Sequence, residues 1–283
     1  MASDQPIGLF DSGLGGLSVL NEFYRQMPNE NYVYVGDSDR NPYGPRGADI
    51  VTQFTLEAAE FLVNAGVKAI VIACNTATVA ALDATRKAYP DMPVIGVVEP
   101  GCIAAAEATR NGHVALVATK GTVDSGKYAE RINELRPGTK VTGVPAPVFV
   151  VLAEEGWLDG NVPDAVAERY LGELFGEPEE SRPDCIILGC THFPPLRKPI
   201  RKVVGEKTVL VDPADITPRR TGQRLAERDL LREGKDRGKT RFCVTAEPER
   251  FARVGSLFLN MPLTVDDIEV IHLGTGYKPI EIK

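Results

Sequence analysis

Two similar segments constrain the fold more than any other feature of this sequence. Residues 71–78 read VIACNTAT and residues 186–192 read IILGCTH, so each apolar run ends on a cysteine and continues into small polar side chains. Apolar runs without polar alternation are typical of buried parallel strands that lead into helices. We therefore expect Cys74 and Cys190 at the strand ends where α/β sheets bind their ligands.

A thiol at such a position has distinctive chemistry. The free N–H groups and the dipole of the following helix favour a thiolate, and two such thiols could face each other across one site. Cys102, Cys185 and Cys243 are expected to be structural, because free cysteine usually behaves as a small buried hydrophobe. Five cysteines without C-x-x-C spacing indicate neither a disulfide framework nor a zinc ribbon.

Length and composition set the outer bounds. The chain has 283 residues, of which 43% are hydrophobic and 25% charged, which suffices for two ordinary domains. A net charge of −7 without a basic cluster argues against a nucleic-acid or membrane partner. No targeting segment or bilayer-spanning run of ~20 apolar residues is recognisable, so we expect a cytoplasmic protein.

Alternating strand and helix patterns predict two parallel blocks. The first contains strands at 7–10, 32–37 and 94–98 in addition to the Cys74 strand, and Glu99-Pro100-Gly101 is interpreted as a stiff linker. A strand at 113–118 opens the second block as residues 7–10 open the first. The blocks are therefore interpreted as diverged copies.

The predicted fold class is α/β, with two pseudo-symmetric three-layer domains, mainly parallel sheets and the active site between them. A strand at 208–213 is predicted to return to the first block. This makes the first domain discontinuous, with residues 1–98 plus 207–283, and assigns residues 99–206 to the second domain.

Two turns are candidates for ligand contacts. The glycine-rich turn after Asp11 suits a close approach to an anion, but it lacks both G-x-G-x-x-G and G-K-[ST], which favours a small carboxylate over a nucleotide. Asp11 could accept from an ammonium group, orient a thiol or cap a helix. The loop at 41–46 is expected to present Tyr43 and the Gly44 amide outward.

Cofactor and metal chemistry have weak sequence support. Lys120 could form a Schiff base with pyridoxal phosphate, but no phosphate cup is recognisable. Cys74, Cys190 and His192 could bind a metal, but no fourth ligand is evident. We expect neither a cofactor nor a metal.

Six motifs together resemble bacterial glutamate racemase over nearly the whole chain. They are Asp11-Ser12-Gly13 with Gly15-Gly16, Gly36-Asp37 before Pro42-Tyr43-Gly44, Cys74-Asn75-Thr76-Ala77-Thr78, Glu99-Pro100-Gly101, Lys120-Gly121-Thr122-Val123 with Ser125 and Tyr128, and Gly189-Cys190-Thr191-His192.

The resemblance implies a cofactor-independent reaction with two thiols. The α-hydrogen of an amino acid is a far weaker acid than a thiol of pKa ~8.5, so one group must remove it while another returns a proton on the opposite face. By resemblance, Cys74 deprotonates the D-enantiomer and Cys190 the L-enantiomer. Asp11 and His192 would assist the thiols, and Glu154 would contribute as well.

The resemblance also implies the partners. L- or D-glutamate would contact Asp11, Ser12, Pro42, Tyr43, Gly44, Asn75, Thr76, Thr122, Thr191 and His192. The D-glutamate formed would supply peptidoglycan and so maintain the cell wall and cell shape, and a homodimer is expected.

Three other functions stay open from the sequence. A related racemase acting on aspartate would differ in the room left beside Tyr43. A non-catalytic amino-acid-binding protein would use the thiols only as pocket lining. A thiol-redox protein would cycle a disulfide between Cys74 and Cys190.

Overall fold

A computed structural model describes residues 2–274 as two parallel β-sheets with helices packed on them. The strands are β1 (Ile7–Asp11), β2 (Tyr32–Gly36), β3 (Ala69–Ile72), β4 (Val94–Gly96), β5 (His113–Ala118), β6 (Lys140–Pro145), β7 (Cys185–Gly189), β8 (Val209–Val211), β9 (Thr240–Val244) and β10 (Ile268–Val270).

The α-helices lie in the segments that connect these strands. They are α1 (Leu17–Gln26), α2 (Ala48–Asn64), α3 (Asn75–Ala88), α4 (Val98–Ala108), α5 (Lys120–Asp124), α6 (Lys127–Leu135), α7 (Pro147–Glu154), α8 (Asn161–Phe175), α9 (Arg197–Val204), α10 (Pro213–Ala226) and α11 (Pro248–Leu259). Short 3-10 helices occupy Ala2–Asp4, Pro194–Leu196 and Val265–Asp267.

The two sheets repeat one strand order, as the similar cysteine segments predict. The first sheet runs β10-β9-β2-β1-β3-β4 and the second β6-β5-β7-β8, with every pairing parallel. Thus β2-β1-β3-β4 and β6-β5-β7-β8 correspond strand by strand. Each candidate cysteine follows the strand next to the central strand of its unit.

Each sheet lies between helical layers because its strands alternate their side chains. In the first sheet, Leu9 packs in the core that includes α1 and α11, whereas Phe10 packs in the core that includes α2. In the second sheet, Val117 shares a core with α7, α8 and α9, whereas Leu116 shares one with α4 and α6. The predicted three-layer α/β class is therefore confirmed.

The strand at 209–211 does not join the first sheet, contrary to the sequence expectation. It pairs with β7, with Ile186 opposite Leu210. The physical reason is the repeat itself, because β8 is the counterpart of β4, and each lies beside the strand that precedes Cys74 or Cys190. β9 and β10 do return to the first sheet.

A division into two domains stays a proposal, with the crossing moved to residues 211–213. The segment after β8 enters α10, which begins at Pro213 and contacts α1. Residues 275–283, the end of the first domain in the sequence interpretation, lie outside the described residues.

The segment interpreted as a stiff linker is helical. Glu99, Pro100 and Gly101 lie in the first turn or so of α4. Proline is tolerated there because the first backbone N–H groups of a helix have no partner within it. Among the described residues, no helix is long and apolar enough to cross a membrane.

Candidate active site

The carboxyl ends of β1, β3 and β7 meet in a buried polar region between the sheets. Thr191 Oγ1 donates to Asp11 Oδ2 at 3.3 Å, and Ser18 Oγ donates to the Thr191 carbonyl at 3.0 Å. Both bonds join the first sheet's unit to the segment after Cys190. The structure therefore brings together residues that lie about 180 positions apart.

Cys74 is the N-cap residue of α3. Its sulfur accepts the Ala77 N–H at 3.4 Å and donates to Ser12 Oγ at 3.6 Å. Burial raises the pKa of the Cys74 thiol to about 12, and the nearby Asp11 carboxyl adds to this shift. The expected thiolate is therefore not favoured here, because desolvation outweighs the helix N-terminus.

Cys190 lies beside a histidine instead. Its sulfur is 3.8 Å from His192 Nδ1, and His192 Nε2 is 3.0 Å from Glu154 Oε1. Burial lowers the pKa of His192, but Cys190 and Glu154 outweigh burial and raise it to about 10. A cationic His192 can donate from both ring nitrogens, which suits a thiolate at Cys190.

Glu154 connects this histidine to the first sheet's unit. Its Oε1 accepts from Asn41 Nδ2 at 3.3 Å, and its Oε2 accepts from Arg250 Nη2 at 2.8 Å. Burial acts to raise the pKa of Glu154, but the bond from His192 and the charges of His192 and Arg250 lower it overall. Glu154 is therefore a stable anion.

Asp11 is a buried carboxyl with few donors. The backbone N–H of Gly13 donates to Oδ1 at 3.0 Å, in addition to the bond from Thr191. Burial raises the pKa of Asp11 above its ordinary value, although the charge of His192 opposes this. Its protonation is therefore sensitive to any charge that forms nearby, as an acid–base assistant requires.

The remaining predicted binding residues form two groups. Thr76 Oγ1 lies 3.3 Å from Thr122 Oγ1 and 2.9 Å from Thr119 Oγ1, so three hydroxyls gather where α3 meets the β5–α5 turn. The side-chain oxygen of Asn75 accepts from Tyr128 at 2.6 Å. Because the Asn75 oxygen accepts this bond, the two N–H groups of its amide remain as donors of the kind that suits a carboxylate.

The loop at 41–46 differs from its expected geometry. The Tyr43 side chain is 1% exposed, and its hydroxyl donates to Asp37. Burial raises the pKa of Tyr43 far above its ordinary range. The turn therefore faces inward, because the buried Asp37 carboxylate offers the phenol a strong acceptor. Pro42 is exposed, and the Gly44 carbonyl accepts from the Gly121 N–H at 3.2 Å.

Gly15 permits the close approach of the two sheets. A Cβ atom on Gly15 would lie 2.5 Å from His192 Nδ1 and 2.6 Å from His192 Cε1. Only glycine fits this contact, which gives a packing reason for a glycine in the turn after Asp11.

Sequence reasoning missed three residues of this site. Thr119 immediately precedes a quoted motif, so its position at a strand end was an available signal. Asn41 and Arg250 have no such signal, because their contacts with Glu154 arise only from the tertiary fold. Sequence spacing carries no information on contacts 113 and 96 residues apart.

The residues considered for cofactor, metal and redox chemistry have ordinary contacts in the structure. Lys120 is largely exposed and pairs with Asp124. In the described part of the chain, no group of three or more His, Cys, Asp and Glu side chains is arranged to hold a metal ion. Cys74 and Cys190 are both free thiols, and so are the three buried structural cysteines.

Known proteins are similar to this chain in sequence and fold. The model of the Asp/Glu/Hydantoin racemase family matches residues 15–221. The chain belongs to this family. A glutamate racemase of Geobacter metallireducens is 42% identical over 253 residues, which is 89% of this chain and 92% of that relative. A glutamate racemase of Levilactobacillus brevis is 41% identical, with 99% of each chain covered.

A solved structure agrees with the fold of this racemase. The crystal structure of the Francisella tularensis glutamate racemase, in complex with D-glutamate, superposes with a TM-score of 0.87. It is 33% identical and covers 95% of this chain and 98% of that one. The chain is therefore an amino-acid racemase of the bacterial glutamate racemase group, which confirms the resemblance stated from the motifs.

Proposed function

We propose that this racemase interconverts L- and D-glutamate with two cysteines and without a cofactor. The observation that carries the proposal is the equivalent placement of Cys74 and Cys190, one after β3 and one after its counterpart β7. Each thiol has its own acid–base neighbours. A reaction that must move protons on two opposite faces of one carbon needs such a pair.

Cys190 is the thiolate and Cys74 the thiol when L-glutamate binds. The Cys190 thiolate takes the α-proton, and the C–H electron pair moves into the substrate carboxylate. The Cys74 S–H then gives its proton to the opposite face, which leaves a Cys74 thiolate and D-glutamate. The pKa of about 12 at Cys74 and the cationic His192 beside Cys190 support this starting state.

The neighbouring side chains have separate proposed roles. His192, held by Glu154, stabilises the Cys190 thiolate. Asp11 takes up a proton more readily when a negative charge forms at Cys74. The two substrate carboxylates contact backbone N–H groups and neutral donors. The proposed donors belong to Ser12, Tyr43, Gly44, Asn75, Thr76, Thr122 and Thr191. Pro42, which has no N–H, would make only a packing contact, and Asp11 and His192 would contact the substrate from beside the thiols.

The cellular role follows from the proposed product. The Francisella tularensis relative was crystallised with D-glutamate, which supports glutamate as the ligand here. We propose that the D-glutamate is used for peptidoglycan and that the enzyme works in the cytoplasm as a homodimer. Aspartate is the main competing substrate, because the family model covers aspartate racemases as well.

Proton NMR in deuterated water tests the proposal directly. The wild type should exchange the α-proton of both glutamate enantiomers and racemise them, whereas Cys74→Ser and Cys190→Ser should lose racemisation. Cys243→Ser is the matched control, since Cys243 is buried in β9 and takes no part in the proposed reaction. A wild type that exchanges aspartate but not glutamate would overturn the substrate assignment, and active single variants would overturn the mechanism.

A further inference from the structure

Arg250 is the outermost member of a chain of contacts that ends at Cys190. It lies on α11, a helix that packs against the first sheet, and it donates to Glu154 Oε2 at 2.8 Å. Glu154 contacts His192 at 3.0 Å, and His192 contacts Cys190 at 3.8 Å. These contacts therefore connect helix α11 to the Cys190 thiol.

The contacts of Arg250 fix it in one orientation. Its Nη1 also donates to Glu247 Oε2 at 3.3 Å, so two carboxylates hold one guanidinium. The planar fork of arginine orients a carboxylate more strictly than a lysine ammonium does. The Arg250 side chain is 38% exposed, so its ion pair with Glu154 contributes little to the free energy of unfolding. Its main effect is to orient the Glu154 carboxylate.

The same helix supports the histidine ring from another side. Phe258 of α11 packs edge-to-face with His192, with ring centroids 5.7 Å apart. Helix α11 thus fixes His192 twice, directly through Phe258 and indirectly through Arg250 and Glu154. Cys74 has no corresponding contact with this helix among its hydrogen bonds in the described structure.

We propose that Arg250 is a positioning residue for the proton transfer at Cys190 and has little effect on the transfer at Cys74. By holding Glu154 Oε2, it directs Oε1 to His192 Nε2, which keeps Nδ1 aimed at the Cys190 sulfur. The inference rests on the proposed function, because it assigns Arg250 to one of the two thiols.

The test is Arg250→Met, measured in both directions with unlabelled and α-deuterated glutamate. Enantiomers have equal free energies, so kcat/KM must fall by the same factor in both directions, and we expect about tenfold. The isotope effects separate the two thiols. The primary isotope effect should grow for L-glutamate, whose α-proton Cys190 removes. It should fall for D-glutamate, because the transfer at Cys74 then limits the rate less.

Two further variants make the result specific. Arg250→Lys keeps the positive charge and should recover activity to within about threefold of the wild type. Arg253→Met removes an exposed arginine from the same helix and should match the wild type in all rates. Circular dichroism and thermal unfolding check that each variant is folded.

Two outcomes would overturn the inference. Isotope effects that rise equally for both enantiomers would show a general structural role, and an Arg250→Met enzyme with wild-type rates would show no role. The proposed function fails separately, since a wild type that does not racemise glutamate, or an active Cys190→Ser variant, would contradict that assignment first.

Discussion

The hydroxyl of Thr191 donates to the buried carboxylate of Asp11 across the boundary between the two sheets. Asp11 ends the central strand of the first sheet, and Thr191 follows the second cysteine. This bond fixes how the two halves of the site face each other. Loss of this bond should be costly, because Asp11 is fully buried and its other donors are the backbone N–H groups of Gly13 and Gly16.

Thr191→Val should destabilise the protein and lower its activity. Valine has a similar shape but leaves one Asp11 oxygen without this donor, at a cost of about 1–3 kcal/mol in the free energy of unfolding. Urea denaturation measures the loss. Thr191→Ser keeps the hydroxyl and should retain most of the stability, so equal losses in both variants would contradict the assigned bond.

Gly15→Ala should reduce kcat by at least about tenfold. The added methyl group would lie within 2.5 Å of both Thr191 Oγ1 and His192 Nδ1, so both side chains must shift and the contact of His192 with Cys190 is disturbed. Steady-state racemisation of either enantiomer measures the effect. Gly47→Ala is the control, because a Cβ there meets no atom within 4 Å. Unchanged kcat in Gly15→Ala would show that the positions of Thr191 and His192 are not critical.

His192 should make the free energy of unfolding depend on pH. Its pKa is about 10 in the folded protein and 6.5 in its ordinary state, so folding favours the charged form. This stabilisation is complete below pH 6.5 and is lost as the pH rises toward 10. The difference in stability between the wild type and His192→Gln should therefore be largest near pH 6, as measured by urea denaturation. A difference that grows from pH 6 to pH 9 would contradict the assigned charge state.

The titration of Asp212 should also make the free energy of unfolding depend on pH. It is the buried N-cap residue of α10, and burial raises its pKa from 3.8 to about 6 despite the Arg197 guanidinium 2.9 Å away. The group favours folding below pH 3.8, and this contribution, about 3 kcal/mol, is lost as the pH rises through 6.

Asp212→Asn tests this expectation. Asparagine caps helices as well as aspartate does but does not titrate, so the variant should show a flatter stability profile between pH 4 and pH 7. Parallel urea titrations of the wild type and variant at several pH values measure the slope. Identical slopes would show that the carboxyl of Asp212 has an ordinary pKa.

The sequence pattern predicted the parallel units and the strand-end position of both thiols, because these features depend on local hydrophobicity and repetition. It assigned β8 to the wrong sheet, since three residues such as Val209–Val211 fit either sheet equally well. It also interpreted Glu99-Pro100-Gly101 as a linker, because proline and glycine break helices everywhere except near their ends.

The electrostatic state of the site could not be predicted from sequence. The helix N-terminus after Cys74 is visible in the sequence, but the burial that raises the pKa of the Cys74 thiol arises only in the folded protein. Likewise, nothing near Arg250 in the sequence indicates that it contacts Glu154, because 96 residues separate them. Motifs therefore located the candidate thiols, and only tertiary packing revealed their partners.

The unequal surroundings of the two thiols have a consequence for the unbound enzyme between turnovers. In the mechanism proposed above, each passage from L- to D-glutamate would end with the proton on Cys190 and the charge on Cys74. The free enzyme would then have to return to its starting form before it could accept another L-glutamate. At high substrate concentration this recovery step would compete with rebinding of D-glutamate, so the free enzyme would exist in two forms that differ in the enantiomer they accept.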